Sequence, residues 1–126
     1  MAIGKEVGTF SANSTSIKVS VDSDGGRVFE INYEGTVSGG WTGTVLSTMT
    51  ARTHDYQTGT YTADVVAYLD NGHILSGQGA GVLSGLGNHK WQINGVDLVS
   101  DGSRISAEGV MSLADRNFSG TLSEIT

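Results

Sequence analysis

Apolar and polar residues alternate along most of this chain in short runs, and no window keeps the i, i+3, i+4, i+7 apolar spacing of a helix over ten residues. Breaks rich in Gly, Asn, Asp and Ser fall at Asp24-Gly25-Gly26, Ser38-Gly39-Gly40, Arg52–Thr58, Asn71-Gly72, Ser84–Asn88, Asp101-Gly102 and Asp115-Arg116. They leave eight runs, at about residues 7–21, 27–37, 41–51, 59–70, 73–83, 89–100, 103–114 and 117–125. The runs are dense in β-branched residues. Eight strands at regular spacing, with no linker between them, predict a single all-β domain over residues 1–126.

Turn length and side-chain direction are coupled, because a slip of one residue turns a whole strand over. Phe29, Ile31 and Tyr33 give the second strand an odd inner register. A three-residue Ser38–Gly40 loop then pairs Val37 with Trp41 and keeps the register odd, through Val45 and Met49 to Tyr61, Ala63, Val65, Ala67 and Leu69. A two-residue Asn71-Gly72 turn of the mirror-image type flips it to even, placing Ile74, Ser76, Gln78, Ala80 and Val82 inside. A four-residue loop at Ser84–Gly87 flips it back to His89, Trp91 and Ile93. An extra residue near Asn94-Gly95, a β-bulge, shifts it to Val96 and Leu98. Further flips give Ile105, Ala107, Met111 and Leu113, then Phe118, Gly120 and Leu122.

One face is therefore apolar, and the other carries Thr42, Thr44, Thr48, Thr62, Asp64, Lys90, Gln92, Arg104, Ser106 and Glu108. A meander with one inner face closes when its first and last strands pair, so the expected architecture is an eight-stranded antiparallel up-and-down barrel. Inward glycines at 35, 43, 109 and 120 would let strands bend. A faint internal echo links Glu34–Val37 and Trp41–Thr44 with Glu108–Met111 and Phe118–Thr121.

Composition narrows the function. A chain of 126 residues can bury about two thirds of its unfolded surface. It has 19 glycines and neither proline nor cysteine, so no disulfide framework is possible. No apolar run approaches the ~20 residues of a helical membrane span, and the opening MAIGKEVGTF lacks a signal peptide's apolar stretch. The expectation is a cytoplasmic protein without a membrane partner. Net charge is −6, and the seven Lys and Arg are scattered, which argues against nucleic acid.

The GTF at Gly8–Phe10, the Glu34-Gly35 pair before a Gly-rich hairpin, Gly59–Tyr61, the SGQGAG strand and the closing GTL together resemble a bacterial family of small lipocalin-like barrels. Those barrels are similar to plant allene oxide cyclases and to cyclases of bacterial polyketide pathways. The resemblance implies a short antiparallel barrel, often oligomeric, with a central cavity. No catalytic motif of the cyclases matches positions here, so no catalytic residue transfers.

The expected pairings stack Phe29, Met49, Tyr61, Val82 and His89 in one row, Ile31, Ser47, Ala63, Ala80 and Trp91 in the next, and Tyr33, Val45, Val65, Gln78 and Ile93 beyond. The first row lies beside the two longest loops, which makes that end the candidate mouth and Arg52–Thr58 a candidate lid. Candidate ligand-binding residues are Tyr33, Trp41, Ser47, Met49, Tyr61, Ser76, Gln78, His89 and Trp91, a few polar groups among aromatics. An inward Gln78 needs a partner, which Ser76, water or a ligand would supply. His89 is the candidate acid–base residue, although no carboxylate shares its row. The aromatic residues serve equally as ordinary core.

Three histidines without paired spacing point to no metal, and no cofactor motif is present. Glu30 and Glu34, or Arg104 and Glu108, stand about 13 Å apart along a strand and form no dyad or ion pair. Asp22–Gly26 lacks the later Glu of a calcium loop. Outward Leu46, Val66 and Tyr68 suggest a homo-oligomer, a dimer first of all. Three readings remain open: a binding barrel for a small apolar or amphipathic ligand, a cyclase or isomerase working by substrate positioning, and a filled structural subunit.

Overall fold

In the computed structural model, which describes residues 3–125, eight strands follow one another in chain order. They are β1 (Ile3–Val21), β2 (Arg27–Gly39), β3 (Gly43–Thr53), β4 (Thr58–Leu69), β5 (Ile74–Gly87), β6 (Lys90–Val99), β7 (Arg104–Ser112) and β8 (Asn117–Ile125). Each pairs antiparallel with the next, and β1 pairs with β8 to close the barrel. Closure leaves no unpaired edge. There is no helix among the described residues, hence none long and apolar enough to cross a membrane. The core is a belt of Ala12, Ile31, Tyr33, Met49, Ala51, Tyr61, Leu83 and Ile93, with Ile93 fully shielded.

Three hairpins share one turn. In Ser23-Asp24-Gly25, Asp70-Asn71-Gly72 and Ser100-Asp101-Gly102 the glycine takes φ of +90°, +89° and +91°. Its N–H donates to the carbonyl of Asp22, Leu69 or Val99 at 2.9–3.0 Å. The central Asp or Asn side chain accepts the N–H of the residue after the glycine, at 3.0, 3.0 and 2.9 Å. Three residues close each loop, with a glycine in the left-handed conformation only it adopts without strain.

This turn corrects the expected direction of β5. Asp70-Asn71-Gly72 is a three-residue loop, so Leu69 bonds to His73 and the register stays odd. Leu75, Gly77, Gly79, Gly81 and Leu83 face inward. Ile74, Ser76, Gln78, Ala80 and Val82 face solvent. A two-residue mirror-image turn does occur, but at Asn88-His89, where both residues have positive φ (+54° and +57°). The flip it imposes is cancelled by a bulge between Gly85 and Gly87.

No bulge interrupts β6 at Asn94-Gly95, and Ile93, Gly95, Asp97 and Val99 continue one inner register. Val96 and Leu98 point outward instead, 37% and 60% exposed. On the other side, the β2–β3 connection takes five residues rather than three, pairing Val37 with Gly43. Register parity survives, but each expected row slides by two: Phe29 pairs with Ala51, Ile31 with Met49 and Tyr33 with Ser47.

Candidate functional site

The belt divides the interior into two chambers. Toward the β3–β4 and β5–β6 loops lies one of about 450 Å³. Its walls include Ile17, Phe29, Ile31, Leu83, Trp91 and Met111, with His89 and Arg116 among its polar residues. Toward the β2–β3 connection lies a smaller one of about 120 Å³, between Phe10, Trp41, Met49, Tyr61 and Phe118. Tyr33 is the one described residue that lines both. Its hydroxyl donates to Met111 Sδ at 2.8 Å, and its ring leans on Phe118 with centroids 5.6 Å apart. Burial pushes the Tyr33 hydroxyl well above its ordinary titration range, so it stays a neutral donor.

The long loop at the larger chamber is stapled shut on itself. Asp55 Oδ1 accepts the N–H groups of Gln57 and Thr58 at 2.9 and 2.8 Å, and Oδ2 takes the Thr58 hydroxyl. The Thr53 hydroxyl donates to the Thr58 carbonyl and accepts the Tyr56 N–H. These donors, the Thr58 and Gln57 N–H groups foremost, hold the Asp55 carboxyl down at about 2. Trp91 Nε1 donates to the Tyr56 carbonyl at 2.9 Å, and Gly85 N–H to that of Gln57 at 2.6 Å. The expected lid is thus a built part of the rim. An Arg52–Asp22 ion pair and a His54–Asp24 hydrogen bond tie it to the β1–β2 turn.

The residues singled out from sequence separate into three places. Trp41, Ser47, Met49 and Tyr61 gather around the smaller chamber, with Tyr33 at the partition. His89 and Trp91 stand at the larger one, His89 exposed and Trp91 half-buried. Gln78 and Ser76 have exposed side chains outside the barrel, where Gln78 faces Asp64 across the ladder. Gln78 therefore lines neither chamber. Ser76 also reaches the outer rim of the smaller chamber.

Sequence reasoning missed Asp97. Its carboxyl enters the smaller chamber over Gly79, and a Cβ on Gly79 would overlap Asp97 Oδ1. The Tyr61 hydroxyl lies over Gly95, two residues earlier on the same inner register. Burial raises the Asp97 carboxyl above its ordinary 3.8. Burial, and then the nearby Asp97 charge, push the Tyr61 hydroxyl up to about 12. An unbroken odd register from Ile93 to Val99 was the signal that would have found it.

No family model matches the sequence, and no curated protein is significantly similar to it. Among solved structures, the barrel is similar to a conserved protein of unknown function from Rhodopseudomonas palustris. The TM-score is 0.81 at 11% identity, over 100% of this chain and 99% of that one. At that identity the likeness shows the fold alone: a closed eight-stranded antiparallel barrel.

Proposed function

We propose that this protein is a small-molecule-binding barrel of the lipocalin-like type, and that its main ligand occupies the larger chamber. The observation that carries the reading is a volume of about 450 Å³ walled mostly by apolar side chains and rimmed by His89 and Arg116. Apolar walls with a few polar groups at one edge suit a small amphipathic guest, its chain inside and its polar end at the rim. Binding ranks ahead of cyclase-type catalysis because the rim offers a lone imidazole with no carboxylate among the chamber's lining residues.

The chain has two tryptophans, one beside each chamber, so each chamber has its own reporter. In Trp41→Phe protein, emission comes from Trp91. Decanol should change it saturably, and Ala51→Leu, which adds bulk to the same chamber, should weaken that response. A Trp91 signal that never saturates, or that Ala51→Leu leaves intact, would overturn the assignment.

A further inference from the structure

We propose that the smaller chamber is a second binding site, specific for a small organic cation such as a protonated aromatic amine, with Asp97 as its counter-ion. The site differs from the larger chamber in position, lining and charge.

Asp97 is the one residue with a formal charge among the described residues lining this chamber; no Lys, Arg or His joins it. The elements packed against it offer no partner. It pairs with Gly79 of β5 and Ile105 of β7, and the next inward positions on those strands are Gly77, Gly81 and Ala107. The Tyr61 hydroxyl of β4 lies close enough to feel its charge. Among the described residues, the Asp97 carboxyl makes no hydrogen bond and no ion pair. Asp97 is partly buried, and a carboxylate partly withdrawn from water without a cation is disfavoured as an anion; it takes up a proton or finds a positive partner.

The rest of the chamber suits a positive partner. Phe10, Tyr33, Trp41, Tyr61 and Phe118 present aromatic surface to the same small volume, and aromatic faces attract cations. Phe10 and Phe118 meet edge to face, with centroids 4.9 Å apart. The Ser47 and Tyr61 hydroxyls add oxygen acceptors for ammonium N–H groups. About 120 Å³ admits a single compact ring or a short chain. Access lies at the barrel end away from the long loop, where Thr36, Trp41, Leu75 and Ser76 form the rim. The inward glycines of β5 have a purpose in this arrangement: Gly79 leaves the space in which the carboxyl lies.

The test uses three near-isosteric probes, benzylammonium, benzyl alcohol and benzoate, titrated into Trp91→Phe protein so that Trp41 alone reports. Calorimetry on the unaltered protein runs alongside. Benzylammonium should bind at least tenfold more tightly than benzyl alcohol, and benzoate should not bind. Asp97→Asn should remove the preference for the cation and keep the weak binding of the alcohol. Equal affinities for amine and alcohol in the unaltered protein would overturn the proposal whether or not the variant folds. So would an amine preference that survives in folded Asp97→Asn protein.

Discussion

Asp97 and Gly79 face each other across the β5–β6 ladder, and the Asp97 carboxyl fills the volume that a side chain at position 79 would need. Gly79→Ala must turn that carboxyl away or push the strands apart, at a cost of about 1–3 kcal/mol. The cost should shrink when Asp97 is truncated to Ala, because the colliding atom is then gone. Urea unfolding of the two single variants and the double variant measures this coupling. Additive costs would mean that the carboxyl does not occupy that space.

The same burial makes stability depend on pH in a defined direction. Asp97 titrates above its ordinary 3.8 in the folded protein, so the folded state keeps a proton that the unfolded chain releases. Stability is then full below the unfolded value and falls as pH rises through the interval up to the raised value. Asp24, Asp55 and Asp101 are held below 3.8 and slope the other way at lower pH. They are common to the unaltered protein and to Asp97→Asn, so they cancel in the difference. Asp97→Asn should therefore gain on the unaltered protein as pH is raised from about 4. Urea midpoints for both proteins across that range provide the check, and a flat difference would refute it.

The three matching turns predict three matching costs. A Cβ at Gly25, Gly72 or Gly102 meets no atom within 4 Å, so alanine there is opposed by backbone strain alone. Each Gly→Ala change should cost about 1–2 kcal/mol, the penalty of the left-handed conformation for a residue with a Cβ. Gly35 has no positive φ, but its Cβ would overlap the Ser11 carbonyl and Ala12 of β1. Gly35→Ala should therefore cost more than any of the three turn substitutions. Thermal unfolding of the four variants orders them, and a Gly35→Ala change milder than the turn variants would contradict the close strand approach.

Those turns also mark how far the fold is legible from sequence. Strand number, closure and the inner faces of β2, β3, β4, β7 and β8 follow from alternation and turn signals; strand limits follow less closely, since β1 begins at Ile3 rather than about residue 7 and β5 runs through the expected Ser84 break to Gly87. Asn71-Gly72 misleads because the same dipeptide ends both a two-residue and a three-residue turn; Asp70 joining the loop is what separates them. β5 cannot arbitrate by hydrophobicity, since Ile74, Ala80 and Val82 oppose Leu75 and Leu83 on its two faces. Reading Asn71-Gly72 short turns β5 over; reading Asp101-Gly102 short, with a bulge at Asn94-Gly95 to offset it, turns the end of β6 over, whereas Val99 in fact bonds to Ser103 across a three-residue turn. Those two stretches hold Gln78, which thereby leaves the interior, and Asp97, which enters it. The tryptophans, Ser47, Met49 and Tyr61 were legible because they lie outside the inverted stretches. The partition at Tyr33 was not, because it depends on how side chains from opposite walls meet.

Acid should loosen the rim of the larger chamber before it dissolves the barrel's apolar belt. Asp55 is held at about 2 in the folded protein against an ordinary 3.8, and it staples the loop only while ionised. Its contribution is present above 3.8 and disappears as pH falls through about 2. Because Trp91 donates to the Tyr56 carbonyl of that loop, the indole reports the change directly. In Trp41→Phe protein, emission from Trp91 should shift toward that of a solvated indole as the solution is brought to about pH 2. Asp55→Ala should produce the same shift at neutral pH, with far-ultraviolet circular dichroism unchanged. An emission spectrum indifferent to Asp55→Ala would mean that the Thr53 hydroxyl and the Gly85–Gln57 hydrogen bond hold the loop without the carboxylate.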